Sequence, residues 1–456
     1  MKLLLIQNAT HVPARGGANK ANRSLLEGLA ARGHTCQVVV PAMPAQSGLT
    51  QVDFLNLLQE QNALVLETSP LDVIFRLNGV DVCAVWSNAQ MRAYTTKIIA
   101  EAKPDWVLLS SEDPGQVLLE AALKHAPDRV IYLAHTLLQL PFGPAAFLHS
   151  QTKTELLKRT AGVITVSSYL QNYLRQWGQL DAIVMRFPTY GTGPFTIYKN
   201  FRRGYVTLIN ACAYKGLPIF LDLARAFPEI EFAAVPGWGT TDAEISALRE
   251  FSNVQIMPPT DNMDTVYSQT RILLVPSVWD EAFGLVAVEA MLHGIPVIAS
   301  NSGGLPEAKL GVDYILPVRV VEKYENRLDE QMKPVAVIPE QDITPWKDAL
   351  REMLTNQDAY QSISRASHQA AFAFAAQARV DLFEKYFSNL KIGQPQTTSF
   401  GEAPPAHNLN QLSPDVRELL AKRLAKKTVG FSSTSHPALP DSGNELAGTS
   451  NGCAEK

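Results

Sequence analysis

The chain has 456 residues, 46% of them hydrophobic, enough to fill more than one core and to favour two or three domains over one. Lys and Arg number 40 against 44 Asp and Glu, and the formal charge of −4 gives no general attraction to nucleic acid or an anionic membrane. Cys36, Cys83, Cys212 and Cys453 are scattered without metal-ligand spacing; with the apolar run Leu3 to Ile6 too short for a signal core and no stretch able to span a bilayer, the expected setting is a reducing cytoplasm.

Lys2 to Gln7 reads as a buried first strand. Gly16 and Gly17 lead into a helical pattern from about Ala21 to Arg32, which Gly33 stops, and Gln37 to Val40 is a second strand. A strand, a glycine loop, a helix and a strand open a doubly wound sheet, in which ligands bind where strands end and helices begin. The glycine pair is therefore either a plain turn or a close approach of backbone to ligand. Asp53 to Glu60 reads as helix, and Ala63 to Trp86 alternates around Asn78-Gly79, a hairpin added at the sheet edge. Trp106 to Leu109 and Val130 to Leu133 are buried strands ending in SSED and AHT. Ser110, Ser111, Glu112 and Asp113 thus share one strand-end loop and His135 occupies another, both placed to open on one crevice. A histidine there is either a ligand contact or a capped structural residue. QLPFGP, Gln139 to Pro144, is an irregular loop suited to walling an acceptor pocket or to plain packing. Gly162 to Ser167 reads as the last strand of this unit, followed by a helix from Tyr169 to Trp177. Phe187 to Arg203, with Pro188, Gly191, Gly193 and Pro194, breaks all periodicity and is expected to link two domains.

A second doubly wound unit then begins, with strands at Tyr205 to Asn210, Glu231 to Val235, Val254 to Met257, Arg271 to Val275 and Pro296 to Ser300, each separated by a helical segment. The most telling stretch runs from Val275 to Glu307: VPSVWDEAFGLVAVEAMLHGIPVIASNSGGLPE. A loop from Pro276 to Phe283 carries Asp280 and Glu281; a helix begins near Gly284, passes Glu289 and stops at Gly294, a residue suited to the left-handed position. Glycine at the helix start admits a ligand close to the backbone, and the unpaired N–H groups of the first turn suit a phosphate. A carboxylate beside a phosphate is repulsive unless it binds something else. Glu281 and Glu289, flanking a diphosphate, would accept hydrogen bonds from sugar hydroxyls; the plainer alternative is that Glu281 caps the helix and Glu289 is solvated.

Two glutamates separated by seven residues, with FG after the first, EAM at the second, then GIPVIAS and GGLPE, resemble the donor-site signature of retaining group 1 glycosyltransferases, family 4 of the sugar transferases. The resemblance extends over most of residues 1–390. It implies an α/β chain of GT-B architecture, two doubly wound Rossmann-like domains facing a cleft, here 1–190 on the acceptor side and 204–375 on the nucleotide-sugar side. A closing helix within 376–392, from about Arg379 to Leu390, would cross back to the first domain. It further implies that Gly16 and Gly17 lie against the donor diphosphate, that His135 contacts the donor sugar, that Lys215 binds the diphosphate, and that Glu281 holds sugar hydroxyls and Glu289 the ribose. The amides near Phe283, Gly284 and Leu285 would face the leaving phosphate, and His135, Lys215 and Glu281 would be the catalytic residues. A lysine at a helix start is disfavoured by the helix dipole, a conflict that a bound phosphate removes.

One of the implied donor-binding positions departs from the pattern: relatives carry an arginine five residues before the lysine, and here Asn210 stands there. Arg186, Arg202 and Arg203 are candidate replacements. No D-x-D ends a strand, so no metal is expected, nor any cofactor beyond the nucleotide sugar, a UDP- or GDP-sugar. The implied reaction is retaining transfer of a sugar to an acceptor hydroxyl on a natural product such as a peptide or lipopeptide, a glycan or a lipid. The alternatives are a nucleotide-sugar epimerase on the same fold and a non-catalytic adaptor.

Beyond residue 392 the composition turns to Pro, Gly, Ser, Thr and Asn, which predicts a disordered tail over 393–456. One island, LSPDVRELLAKRLAKK from Leu412 to Lys427, predicts a short amphipathic helix over 413–427, with Ser413 as N-cap, Pro414 at the first helical position and Val416, Leu419, Leu420 and Leu424 on one face. It resembles the short LSP-x-x-R-x-L-L helices at the edges of nonribosomal peptide synthetase modules, which implies a biosynthetic assembly-line partner; a solvated or fold-capping helix is the alternative.

Overall fold

A computed structural model describes residues 1–43, 48–260, 262–329 and 334–391. The expected tail and its helix, with Val416, Leu419, Leu420 and Leu424, lie outside the described residues. In chain order the first half contains β1 (Lys2–Ile6), α1 (Gly17–Ala31), β2 (Thr35–Pro41), α2 (Gln51–Glu60), β3 (Leu64–Thr68), β4 (Asp72–Leu77), β5 (Val80–Val85), α3 (Met91–Ala102), β6 (Trp106–Ser110), α4 (Val117–His125), β7 (Val130–Ala134), α5 (Gln151–Lys158), β8 (Gly162–Thr165), α6 (Ser168–Gly178) and β9 (Ile183–Val184). Its strands form one sheet in the order β3-β4-β5-β2-β1-β6-β7-β8-β9. From β5 to β9 every pairing is parallel, and only β3-β4-β5 is antiparallel. Helices cover both faces of the parallel part, which is why Leu3 to Ile6, Val107 to Leu109 and Val130 to Leu133 are uninterrupted apolar runs, all buried.

The second half contains β10 (Tyr205–Ile209), α7 (Leu217–Ala226), β11 (Phe232–Val235), α8 (Asp242–Arg249), β12 (Val254–Ile256), α9 (Asp264–Tyr267), β13 (Thr270–Val275), α10 (Leu285–Leu292), β14 (Val297–Ser300), α11 (Leu305–Ala308) and β15 (Ile315–Leu316). A ribbon of β16 (Lys323–Leu328) and β17 (Pro334–Val337) follows, then α12 (Thr344–Thr355), α13 (Gln357–Ala375) and α14 (Val380–Asn389). The second sheet is wholly parallel, in the order β12-β11-β10-β13-β14-β15. Strand order reverses between β1 and β6 in one sheet and between β10 and β13 in the other. Such reversals leave a crevice at the carboxyl ends of the strands, where ligands bind. The loops after β1, β6, β10 and β13 carry most of the residues singled out from the sequence.

Four details differ from the sequence reading. Helix α1 starts at Gly17 and not near Ala21, because Gly16, at φ 88° and ψ 154°, turns the chain directly into the helix. The hairpin at Asn78-Gly79 joins β4 and β5, but β3 adds a third strand outside it. The first sheet ends with β9, two residues long, and not with β8. Lys215 lies in a three-residue turn, Ala213–Lys215, ahead of α7 and not in its first turn.

Helix α14 runs back over the first half. Trp106 Nε1 donates to the Phe387 carbonyl oxygen at 3.1 Å, and Glu384 meets His34 and Arg32, each at 2.7 Å. Phe383 is fully buried and packs edge-on against Phe187, ring centroids 5.0 Å apart. Phe383→Ala is therefore expected to lower unfolding stability by about 3–5 kcal/mol, whereas Leu382→Ala, at an exposed position of the same helix, should stay within about 0.5 kcal/mol of wild type. Denaturant midpoints measure both; equal effects would show that α14 does not close the fold.

Candidate active site

The site is assembled from backbone first. After β13 the chain turns through PSVWDEAFG before entering α10, and three glycines decide the path. Gly284 has φ 114°, and a Cβ there would lie 2.5 Å from Leu305 Cδ2. On Gly303 a Cβ would lie 2.3 Å from the Glu281 carbonyl oxygen, and on Gly304 2.6 Å from that of Ala282. GGLPE thus presses against the loop, and the Gly304 amide donates to the Glu281 carbonyl at 2.7 Å. Ser300 and Ser302 hydroxyls donate to the Ser277 carbonyl at 2.7 and 3.0 Å. Phe283 is buried and stacks on Phe374, centroids 5.5 Å apart. No side chain caps the start of α10.

Lys215 arrives from the other side of the switch point. Gly216, at φ 80°, is forced by crowding as well as conformation, since a Cβ would fall 2.0 Å from the Pro276 carbonyl oxygen. That approach brings Lys215 Nζ onto Glu281 Oε1 as an ion pair whose side chains keep 18% and 11% of their surface exposed. Ser277 Oγ donates to the same carboxylate oxygen at 2.6 Å. The Trp279 ring stands 5.0 Å and the Trp238 ring 6.0 Å from Nζ, so aromatic faces replace much of the ammonium's hydration. Burial pushes the Glu281 carboxyl up, yet Lys215 and Ser277 outweigh it and hold it below the ordinary glutamate value.

Glu289 lies one turn into α10 and accepts a hydrogen bond from Tyr267 Oη at 2.8 Å. Across the crevice the glycine pair touches the same helix: a Cβ on Gly17 would lie 2.9 Å from Leu285 Cδ1. Further along, Ser167 Oγ donates to the Ala282 carbonyl, and Glu307 of GGLPE accepts the Ser168 amide at 2.7 Å and meets Arg186 at 3.5 Å. The structure therefore brings Gly17, beside Gly16, against Leu285, and Lys215 onto Glu281 in the loop that passes Phe283 and Gly284 into α10, with Glu289 further along that helix.

His135 stands at the end of β7. Its ring packs 4.8 Å from Phe187, its Nε2 lies 2.9 Å from Asn22 Oδ1, and its amide donates to Ser111 Oγ at 2.9 Å. Protein surrounds the ring, although part of the residue stays open, and burial lowers its pKa to about 3. It is a neutral imidazole. Asp113 caps α4 through the Leu118 and Leu119 amides, both at 2.9 Å, and Glu112 accepts from Ser110 Oγ.

Asn210 does not imitate the absent arginine. It is buried at φ 59°, and its Oδ1 accepts the Gly239 amide at 3.0 Å, bracing the PGWG loop that holds Trp238 near Lys215. Of the three candidate replacements, Arg202 and Arg203 are exposed in the turn before β10. Arg186 lies in the seam between the halves, over Phe374 at 4.4 Å and beside Glu307. Among the described residues no three His, Cys, Asp or Glu side chains group as metal ligands.

Sequence reasoning missed Ser277, Trp238, Trp279, Tyr267 and Asn22. Ser277 stands four residues before Glu281 in the quoted motif and Trp238 between two glycines after a strand, signals that were present; Asn22 and Tyr267 gave none.

A family model described as Glycosyltransferase Family 4 matches residues 15–185, and one described as Glycosyl transferases group 1 matches residues 205–356. The chain belongs to the group 1, family 4 glycosyltransferases. Among curated relatives, D-inositol 3-phosphate glycosyltransferase of Mycolicibacterium smegmatis is 33% identical over 124 residues, 27% of this chain. The match spans 24% of that relative, so the chain covers about a quarter of its length. Sucrose-phosphate synthase from Thermosynechococcus elongatus superposes with a TM-score of 0.61 at 17% identity, covering 85% of this chain and 99% of that one. Anabaena Alr3699/HepE, solved with UDP and glucose, gives a TM-score of 0.58 at 17% identity, with 86% and 100% covered. The fold of this family member is GT-B.

The Lys215–Glu281 pair sets a pH signature. Because the folded-state pKa of Glu281 is depressed, its contribution to stability is present above about pH 4.5 and is lost as pH falls through the folded value. In Lys215→Met burial still pushes the carboxyl up while the largest influence holding it down is gone, so the carboxyl would titrate higher than in the wild type. Lys215→Met should therefore be destabilised by about 3–5 kcal/mol near pH 7, with the deficit shrinking toward about pH 4. Melting temperatures across that range test this; a pH-independent deficit would mean that the pair is not buried.

Proposed function

We propose that the chain is a retaining glycosyltransferase that moves a sugar from a nucleoside diphosphate sugar, a UDP- or GDP-sugar, to an acceptor hydroxyl without a metal ion. The observation that carries this reading is the Lys215–Glu281 pair at the uncapped start of α10, with Gly17 facing Leu285 across the crevice. Anabaena Alr3699/HepE in complex with UDP and glucose, and the curated D-inositol 3-phosphate glycosyltransferases, lend support from related chains.

In this account the donor exchanges partners with the resting pair. The diphosphate takes Lys215 and the amides of Phe283, Gly284 and Leu285, and Glu281, released from the lysine, accepts hydrogen bonds from the sugar hydroxyls. Glu289 accepts from the ribose. As the glycosidic bond breaks, the sugar becomes positive and the departing phosphate more negative, and Lys215 with the helix end stabilises the latter. The acceptor's proton passes to a leaving phosphate oxygen. No side chain acts as covalent nucleophile, and neutral His135 serves as a contact to the sugar.

Glu289→Ala should chiefly raise the donor dissociation constant, whereas Glu281→Ala should lower turnover by roughly 10² or more with a smaller effect on donor affinity. Calorimetry with UDP- and GDP-sugars, paired with donor-hydrolysis rates, separates the two roles; equal effects of both on binding alone would refute the division. Donor hydrolysis should also persist in EDTA. Activity lost to the chelator and restored by magnesium or manganese would overturn the metal-free account.

A further inference from the structure

The crevice floor of the first half contains a chain of hydrogen bonds whose direction can be worked out atom by atom. It begins at the Ala9 carbonyl, which can only accept. Gln7 Nε2 lies 3.1 Å from it and is therefore the donor, so Gln7 Oε1 faces the other way and accepts Asn22 Nδ2 at 3.0 Å. The same Nδ2 donates its second hydrogen to Ser110 Oγ at 2.9 Å, and the single hydroxyl proton of Ser110 is committed to Glu112 Oε2. Asn22 has then used both amide hydrogens. Its remaining atom, Oδ1, is an acceptor, and it lies 2.9 Å from His135 Nε2.

Reversing either amide would set oxygen against oxygen, at Gln7 against the Ala9 carbonyl or at Asn22 against Gln7. Gln7, Asn22 and Ser110 are all buried, so water does not relieve a mismatch. His135 Nε2 must therefore carry a proton. Packing of the ring on Phe187 opposes the turn that would offer the other nitrogen. A neutral imidazole with Nε2 protonated has a lone pair at Nδ1, which has no hydrogen-bond partner among the described residues.

We infer that Asn22 is a positioning residue that holds His135 as the Nε2–H tautomer, so that Nδ1 presents an acceptor to a hydroxyl of the bound donor sugar; the sugar contact rests on the glycosyl-transfer reading, the tautomer does not. A lone pair at this place repels phosphate oxygens and attracts hydroxyls. His135 thus reads the sugar and not the diphosphate, and it neither delivers nor removes a proton during the reaction.

The test uses full-length protein labelled with ring-15N histidine, with the His135 signals assigned by their loss in His135→Gln. The expected spectrum shows Nε2 as the protonated nitrogen and Nδ1 as the bare one, unchanged between about pH 5 and about pH 8. Asn22→Leu should give a mixture of tautomers. Calorimetry then compares UDP-glucose with UDP, and GDP-mannose with GDP. In Asn22→Leu the nucleoside diphosphate should bind as in wild type, while the extra affinity contributed by the sugar falls roughly tenfold, the loss of one hydrogen bond. A wild-type spectrum with Nδ1 protonated would overturn the tautomer whatever the protein binds. An unchanged sugar increment in Asn22→Leu, with the tautomer altered, would overturn the contact. Failure of the wild type to bind either pair would sink the glycosyl-transfer reading and the contact with it, leaving the tautomer to be decided by the spectrum.

Discussion

A lysine and a glutamate hold one another in a place from which most water is excluded, and the geometry around them follows from that arrangement. Withdrawing two charges from water costs several kcal/mol for each, and direct contact alone does not reliably offset it. Ser277 therefore supplies a hydrogen bond to the carboxylate, and Trp279 and Trp238 turn their faces to the ammonium. The backbone must come close enough to permit this, hence glycine at 216, where any side chain would overlap the Pro276 carbonyl, and at 303 and 304, where it would strike the loop carrying Glu281. Asn210 belongs to the same construction, since it braces the loop that holds Trp238. The departure from the family pattern at this position thus replaces a charge with a support.

The crevice is a product of two sheets, each reversing strand order at its centre. Parallel strands aim their carboxyl ends and the following helix starts at the same edge, so the loops after β1, β10 and β13 converge without any long insertion. Contacts across the seam are small but specific: Gly17 against Leu285, Ser167 on the Ala282 carbonyl, and Glu307 on the first amides of α6. Residues that hold the loop between β13 and α10 in place also hold the two halves together. A ligand that moves this loop would therefore be sensed by the seam.

Much of this was legible in the sequence because the parallel strands are buried on both faces and read as continuous apolar runs. The glutamate spacing and the glycines of GGLPE were visible because they are local. What was not legible depends on contacts between distant positions. Asn22 meets His135 across 113 residues and Lys215 meets Glu281 across 66, and no periodicity reports such pairs. The start of α1 was misplaced because Gly16 acts through its dihedral angles, which composition does not reveal. Strand β9 is two residues long, too short for alternation or apolar run to mark it. Asn210 could be seen as a departure, but its role in the Trp238 loop required the fold.

In the proposed mechanism the diphosphate of a sugar nucleotide takes the place of Glu281 on Lys215. A crystal structure of the protein with an intact UDP- or GDP-sugar bound tests it most directly. The expected result is a phosphate oxygen within hydrogen-bond distance of Lys215 Nζ and of an amide at the start of α10, with the Glu281 carboxylate moved onto the sugar hydroxyls. A diphosphate bound elsewhere, with the Lys215–Glu281 pair intact, would contradict it.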